Sequence, residues 1–367
     1  MLIKVERVNL LEAVSNLSRA VLTRAAIPVL EGILFSAEGS AVTMMAYNLE
    51  IGMTKVLPVR VEEDGDIVLN AKILLEILRK MDGDIVEINV DEKMMAHISC
   101  GASNFDIVGM TSEDFPEMPT VSENEEVTVS SEVLKDMVRQ TAFAAATSEN
   151  ARPILMGIKF EFSGNKMSLI AIDGSRLAIR NNIIETTNDA EFIVSSRAIN
   201  EAVKTIGEED EKITIRVGKK HISFENNGYI IISRLIDGEY IDYKRSIPLS
   251  ETVSIKVNVK EILNTIDRIS LIINDQIKTP IRMKFEKGKI IFTSVSSIGR
   301  AMDEMAVNYD GNEFTIGFNS RYLTEALKAT ECEEIYLKFN GPAAAAVISP
   351  VETNDFLYLV MPMRLSW

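Results

Sequence analysis

His97 and His221 are the only imidazoles in this chain of 367 residues, and both fall in alternating runs of strand type. No serine on a strand-to-helix elbow accompanies either, so a serine–histidine–carboxylate set has no residues to work with. A phosphate-cradling loop needs glycines at fixed intervals, ahead of a lysine or after a strand, and neither pattern occurs. Gly218-Lys219-Lys220 and Gly288-Lys289 read as hairpin turns. The acidic clusters at 123–126 and 208–211 lack the interval and glycine of a calcium loop and read as solvated loops. Cys100 and Cys332 share no metal-type spacing and read as buried thiols in a reducing compartment. Neither an active site, nor a metal, nor a cofactor is expected.

Binding chemistry is better represented. Lys72, Glu76 and Arg79, then Arg197, Glu201 and Lys204, then Arg321, Glu325 and Lys328 repeat base, acid, base at i, i+4 and i+7. That spacing lines one helical face. The plainest reading is three exposed helices whose surface ion pairs contribute about 0.2–0.5 kcal/mol each. The chain carries a net charge of −15, yet its helical segments are neutral to slightly positive, the least negative surface of an acidic protein. Gathered on one side, such helices would face a phosphate backbone while strands and loops repel it elsewhere. Aromatics are sparse on them, which disfavours stacking on single-stranded bases. A second signal pairs Ile170-Ala171-Ile172-Asp173-Gly174-Ser175-Arg176-Leu177-Ala178 with the C-terminal Leu359-Val360-Met361-Pro362-Met363-Arg364-Leu365. Met361 and Met363 are either core fillers or an adaptable apolar surface for peptides.

The elements that must position these residues recur three times. Strand-like phrases around Pro28, Pro153 and Pro280 are 125 and 127 positions apart, a period that describes whole domains rather than solenoid units. Stretches rich in acids, serine and proline at 112–128 and 248–252 read as linkers. They divide the chain into domains at 1–120, 128–247 and 252–367. In each third the period predicts an early helix (from residue 9, then 131–146 and 259–272) followed by hairpin strands (32–35 and 41–46; 157–162 and 166–172; 281–285 and 289–293). A second helix follows at 71–81, 196–206 and 320–330, with Asn70, Ser195 and Asn319 as N-caps. The fold class is α+β, each third two helices on antiparallel sheet. Hydrophobic content of 46% and charged content of 25% suit a globular chain, and no apolar run approaches the ~20 residues that span a bilayer. The opening Met1-Leu2-Ile3-Lys4-Val5-Glu6-Arg7 places charges too early for a signal peptide, so a cytoplasmic location is expected.

The threefold repeat, the segment Ala171-Ile172-Asp173-Gly174-Ser175-Arg176-Leu177, the run Leu235-Ile236-Asp237-Gly238-Glu239-Tyr240-Ile241-Asp242-Tyr243 and the terminal Val360-Met361-Pro362-Met363-Arg364-Leu365 resemble the bacterial sliding clamp, the beta subunit of DNA polymerase III, over the whole chain. The resemblance implies three clamp domains and a head-to-tail homodimer, a six-domain ring with helices lining the hole. It implies DNA-facing positions at Arg24, Lys72, Arg79, Lys80, Arg152, Arg197 and Lys204. A pocket for partner peptides would comprise Leu155, Ile172, Gly174, Ser175, Arg176, Leu177, Ile241, Arg245, Ser246, Asn319, Tyr322, Pro342, Val360, Met361, Pro362, Met363 and Arg364. Within it Leu155, Leu177, Val360 and Met361 would form a dry floor, and Arg176, Arg245 and Asn319 a polar rim. Phe105 and Ile107 of one protomer would meet Leu271, Ile272 and Ile273 of the other.

The function so implied is that of a non-catalytic processivity factor that encircles duplex DNA without sequence preference. Its partners would be the replicative polymerase catalytic subunit, other polymerases and repair proteins carrying clamp-binding peptides, and an ATP-driven loader, since the chain has no nucleotide loop of its own. Two departures stand out. Ser175 and Ile172 occupy positions where some members carry histidine and threonine, leaving the pocket's polarity open, and Ser366-Trp367 extends past the usual terminal leucine. Trp367 either flanks the pocket or belongs to a disordered tail. Two rival readings are an acidic peptide-binding scaffold that ignores DNA and an enzyme whose site escapes motif analysis.

Overall fold

The computed structural model describes residues 1–121, 125–148, 150–185, 189–207, 212–248, 250–273 and 279–365. Among them are six α-helices: α1 (Arg7–Leu17), α2 (Ala71–Lys80), α3 (Ser131–Arg139), α4 (Ser196–Lys204), α5 (Val259–Ser270) and α6 (Ser320–Ala329). Each buries the apolar stripe that its sequence period marks, as Leu74, Ile77 and Leu78 do in α2 and Leu323, Ala326 and Leu327 in α6. Asn70 and Asn319 cap as expected: the Asn70 side chain accepts from the Ile73 N–H at 3.1 Å, and that of Asn319 from the Arg321 and Tyr322 N–H groups. Asn258 caps α5 in the same way through Glu261 N–H.

Helix α3 stops seven residues before its expected end. The buried Thr141 hydroxyl donates to the Met137 carbonyl at 2.7 Å, and a 3-10 turn, Ala142–Ala144, follows. Ser18, Thr205 and Thr330 bond Val14, Ala202 and Leu327 carbonyls in the same way just past α1, α4 and α6. A hydroxyl that satisfies a carbonyl three or four residues back competes with the next helical N–H, which is why these helices end there. The phrases around Pro28 and Pro153 also differ from the expected strand. Pro28–Glu31 and Pro153–Met156 are 3-10 turns with proline at the first position, and the strands open only at Gly32 and Gly157.

The chain folds as two compact units, residues 1–132 with 197–235 and residues 133–196 with 236–367. The first holds a five-stranded sheet, ordered Arg60–Glu63, Leu2–Glu6, Ile85–Val90, Met95–Cys100, Ser103–Val108. It also holds an eight-stranded one in which Tyr229–Arg234 pairs antiparallel with Ile51–Pro58, Tyr229 opposite Lys55. The second unit holds a four-stranded sheet and another eight-stranded one, in which Arg176–Ile183 pairs antiparallel with Phe356–Val360. The central repeat is thus divided between the units, each half hydrogen-bonded into a neighbour's sheet. Its expected linkers are partly structured. Phe115 packs on the cluster of Val29, Leu34 and Val68, and Glu125–Ser130 is a strand rather than a loop, with Glu126 paired to Arg216 at 3.1 Å. Residues 123, 124 and 208–211 of the acidic clusters, with Ser366 and Trp367, lie outside the described residues.

Candidate nucleic-acid and peptide interfaces

The base–acid–base helices present their charges outward because burial of the opposite stripe fixes their rotation. In α2, Lys72, Glu76, Arg79 and Lys80 are exposed, and Arg79 and Lys80 occupy the last turn, where the helix dipole favours cations. In α4, Ala198, Ile199 and Ala202 are buried and leave Arg197 and Lys204 exposed. Arg24 is exposed in the same unit, and Arg152 in the other, immediately before the 3-10 turn at Pro153–Met156. Lys204 is tied to Glu201 at 2.8 Å, and Arg19 reaches the same carboxylate at 3.5 Å. Arg24, Lys72, Arg79, Lys80, Arg152 and Arg197 have no ion-pair partner among the described residues. The six helices carry twelve basic and eight acidic side chains, a surplus of +4 in a chain of −15. Exposed cations without an ion-pair partner, on helices or beside them, are the groups through which an acidic molecule can still attract a polyanion.

The second surface lies within the second unit. Its foundation is an apolar cluster containing Ile172 and Leu177 with Tyr240, Tyr243, Val347 and Leu359, on which Leu155 and Ile247 pack. Burial pushes the phenols of Tyr240 and Tyr243 far up, so both remain neutral hydrogen-bond donors, Tyr240 to the Ile170 carbonyl and Tyr243 to Glu161. The turn at 173–175 bends on Gly174, whose φ of +88° an L side chain rarely adopts. The carboxylate of Asp173 holds the turn by accepting from the Ser175 and Arg176 N–H groups at 2.8 and 3.0 Å. From that turn the Ser175 carbonyl accepts the Met361 N–H, and two residues later Met363 N–H donates to the Gly317 carbonyl, both at 2.8 Å. The C-terminal segment is thereby laid on the free edge of strand Phe314–Phe318. Gly317 permits the close approach: a Cβ there would lie 2.4 Å from Leu365 Cδ2. Between this segment and Pro342 opens a cleft of about 500 Å³, also lined by Thr315, Ala343 and Leu365. It falls in the size range of small-ligand and peptide side-chain sites.

Several expected pocket residues occupy other positions than the floor and rim foreseen for them. Val360 is fully buried in its strand, whereas Met361 is 45% exposed and overhangs the cleft. Arg176 is no rim residue at 6% exposure. Its guanidinium lies 4.5 Å from the Tyr322 ring centre, and it pairs with Asp173 at 3.0 Å and with Glu325 of α6. Asn319 commits its carbonyl oxygen to the α6 cap. Ile241 is half-buried, while Arg245 and Ser246 are exposed on the 3-10 turn Tyr243–Ser246, with Arg245 paired to Asp242. Sequence reasoning missed Thr315, Gly317, Ala343 and Leu365, although Leu365 lies within the terminal motif. As a residue of the base–acid–base pattern, Glu325 reads only as a helix-surface acid; nothing local reveals its partner 149 residues away.

Phe105 and Ile107 lie on Ser103–Val108, the outermost strand of the five-stranded sheet, beside Val108 at 72% exposure. Leu271 is 81% exposed just after α5, with Ile272 and Ile273 half-buried. Exposed Val295, Ile298 and Met302 sit on the hairpin leading into the edge strand Gly299–Ala306, apolar residues that sequence alone did not single out. Cys100 is buried as expected and Cys332 only half so. Among the described residues no cluster of three metal-type ligands occurs, and no helix is long and apolar enough to cross a membrane.

Comparison with known proteins places these surfaces in context. The models of the N-terminal, central and C-terminal domains of the DNA polymerase III beta subunit match residues 1–119, 128–242 and 244–364. The beta sliding clamp of Halalkalibacterium halodurans is 30% identical over 375 residues, covering 98% of each chain. The crystal structure of the DNA polymerase sliding clamp from Bacillus subtilis superposes over 100% of both chains with a TM-score of 0.94 at 28% identity. That of the DNA polymerase III beta subunit from Thermotoga maritima gives 0.93 at 26%, again over 100% of both. With family models matching nearly its whole length, the chain belongs to the DNA polymerase III beta subunit family of sliding clamps.

Proposed function

We propose that this chain is the processivity factor of a replicative DNA polymerase: a head-to-tail homodimer that closes around duplex DNA, slides along it, and tethers its partners by short peptides. The observation that carries the reading is the charge segregation. A chain of −15 would be repelled by DNA, yet six exposed cations without ion-pair partners among the described residues, five of them in one unit, are held out by helices and by the segments beside them. Contacts of this kind are sequence-blind and salt-screened, which permits movement along the duplex. Retention then comes from topology rather than affinity, and no catalytic residue is required. Three domains at 1–120, 128–247 and 252–367 suit such a ring, with the strand Ser103–Val108 and residues 271–273 as the subunit contact. The exposed apolar side chains at both places support that contact, because left open they would promote association.

The cleft beside Met361 takes an apolar peptide anchor, and the adjoining segment offers backbone groups to an extended chain. Its methionines let one site accept several partners: polymerase catalytic subunit, other polymerases, repair proteins and the ATP-driven loader. The reading places the protein in the cytoplasm beside the chromosome, supported by two unpaired thiols. The test is loading on nicked circular duplex by the loader, followed by a salt wash and then linearisation. The protein should stay on the circle and leave the linear form, and in solution it should have the mass of a dimer. Equal retention on both forms, or a monomer at micromolar concentration, overturns the reading.

A further inference from the structure

Glu325 of α6 holds two arginines at once. Its Oε1 accepts from Nε of Arg321 at 2.8 Å, one turn earlier on the helix, and 69% of the Arg321 side chain is exposed. Its Oε2 accepts from Nη1 of Arg176, which is almost fully buried, is stacked on Tyr322, and opens the strand at the foot of the 173–175 turn. That turn carries the Ser175 carbonyl on which Met361 hangs. An exposed helix cation is therefore one link from this carboxylate, and the overhang of the peptide cleft is three, Arg176 being the covalent neighbour of Ser175.

We propose that Glu325 is a positioning residue for the peptide cleft and that it couples the cleft to phosphate binding at Arg321. The proposal rests on the clamp reading, since it takes duplex DNA as the polyanion that reaches α6. A phosphate that draws the Arg321 guanidinium away leaves Glu325 to Arg176. Charge-assisted pairs strengthen when a competitor leaves, so Arg176 is held harder and the 173–175 turn is drawn toward α6. Because Ser175 O fixes Met361, the cleft's overhang shifts with it. Coupling of this kind is reciprocal, so a bound peptide must change affinity for the duplex by the same factor.

The experiment measures binding of a fluorescein-labelled peptide carrying glutamine followed by leucine or phenylalanine, by polarisation, with and without a saturating short duplex. Wild type, Arg321→Ala, Glu325→Gln and, as a control on the other unit, Lys72→Ala/Arg79→Ala are compared. Duplex should change the wild-type peptide Kd about fivefold or more, a typical coupling. In Arg321→Ala that response should vanish while the peptide still binds, and in Glu325→Gln the Kd should shift even without DNA. The Lys72→Ala/Arg79→Ala variant should need more duplex yet show the full response once saturated. A wild-type response retained in a folded Arg321→Ala overturns the proposal, as does an unchanged peptide Kd in a folded Glu325→Gln. If wild-type protein binds peptide and duplex independently, this coupling alone fails. If it binds neither, the clamp reading fails and takes the coupling with it.

Discussion

Helices α2 and α6 share one pattern, base–acid–base at the same spacing, and the fold uses it in two ways. In α2 the acid, Glu76, is exposed and meets no cation among the described residues, so Lys72 and Arg79 project freely. In α6 the acid, Glu325, is recruited by Arg176 from a distant strand and holds Arg321 as well. The difference lies in what packs beside the helix. Arg176 is nearly buried against Tyr322 and Phe143, and a buried guanidinium without carboxylates would carry a heavy desolvation penalty. Identical helix-surface patterns therefore carry no fixed role. One leaves its cations without an ion-pair partner among the described residues, and the other gives its acid to a cation that the fold itself supplies.

Removing residues 361–367 should have the largest effect. Labelled peptide should no longer bind by polarisation, while sedimentation still reports a dimer, because the cleft loses its overhang and the proposed subunit contact does not include these residues. Next, Arg176→Ala strands Asp173 and Glu325 without their shared cation and should cost about 3 kcal/mol in urea unfolding. Arg79→Ala on α2 should stay within about 0.5 kcal/mol, and equal losses would erase the distinction between the helices. Replacing Arg24, Lys72, Arg79 and Arg197 together should leave the melting temperature nearly unchanged. The slope of log K against log salt for duplex binding should flatten by about 3 to 4, near 0.9 for each phosphate no longer neutralised.

The smallest effect concerns protons. Burial pushes the Glu325 carboxyl up, but hydrogen bonds from Arg321 and Arg176 outweigh it and hold the group below the usual carboxylate range. A pKa depressed in the folded state contributes stability above the unfolded value of about 4.3, lost as pH falls through the folded value. The stability gap between wild type and Glu325→Gln should thus be full near neutrality and narrow below about pH 4, as followed by denaturant midpoints.

Local rules made much of this legible. Helices α2, α4 and α6 and their exposed cations followed from period and from the caps at Asn70 and Asn319, and the strand at Lys166–Ile172 appeared with its bounds. The 170–178 run and the C-terminus were singled out together, and strand Arg176–Ile183 does pair with Phe356–Val360. Three things were hidden. Helix ends at Thr141 and Thr205 depend on a hydroxyl choosing a carbonyl, which propensity does not encode. The burial of Arg176 and the recruitment of Glu325 depend on register between segments far apart in sequence. The cleft at Gly317 exists only once the terminal segment has found its strand.

The division of the central repeat has a consequence for how the molecule can be cut and inherited. As written, the chain is three tandem copies, the pattern that multiplying a self-sufficient part would leave. As folded, strand Arg176–Ile183 of the second copy completes its ladder only with Phe356–Val360 of the third, and Tyr229–Arg234 only with Ile51–Pro58 of the first. A fragment cut at the repeat boundaries would therefore bare a full row of unpaired amides and carbonyls on each side, the kind of edge that recruits other chains. The unit of heredity and the unit of cooperativity are out of phase by half a repeat. No third of this protein can be lost, swapped or expressed alone without opening a sheet in its neighbour.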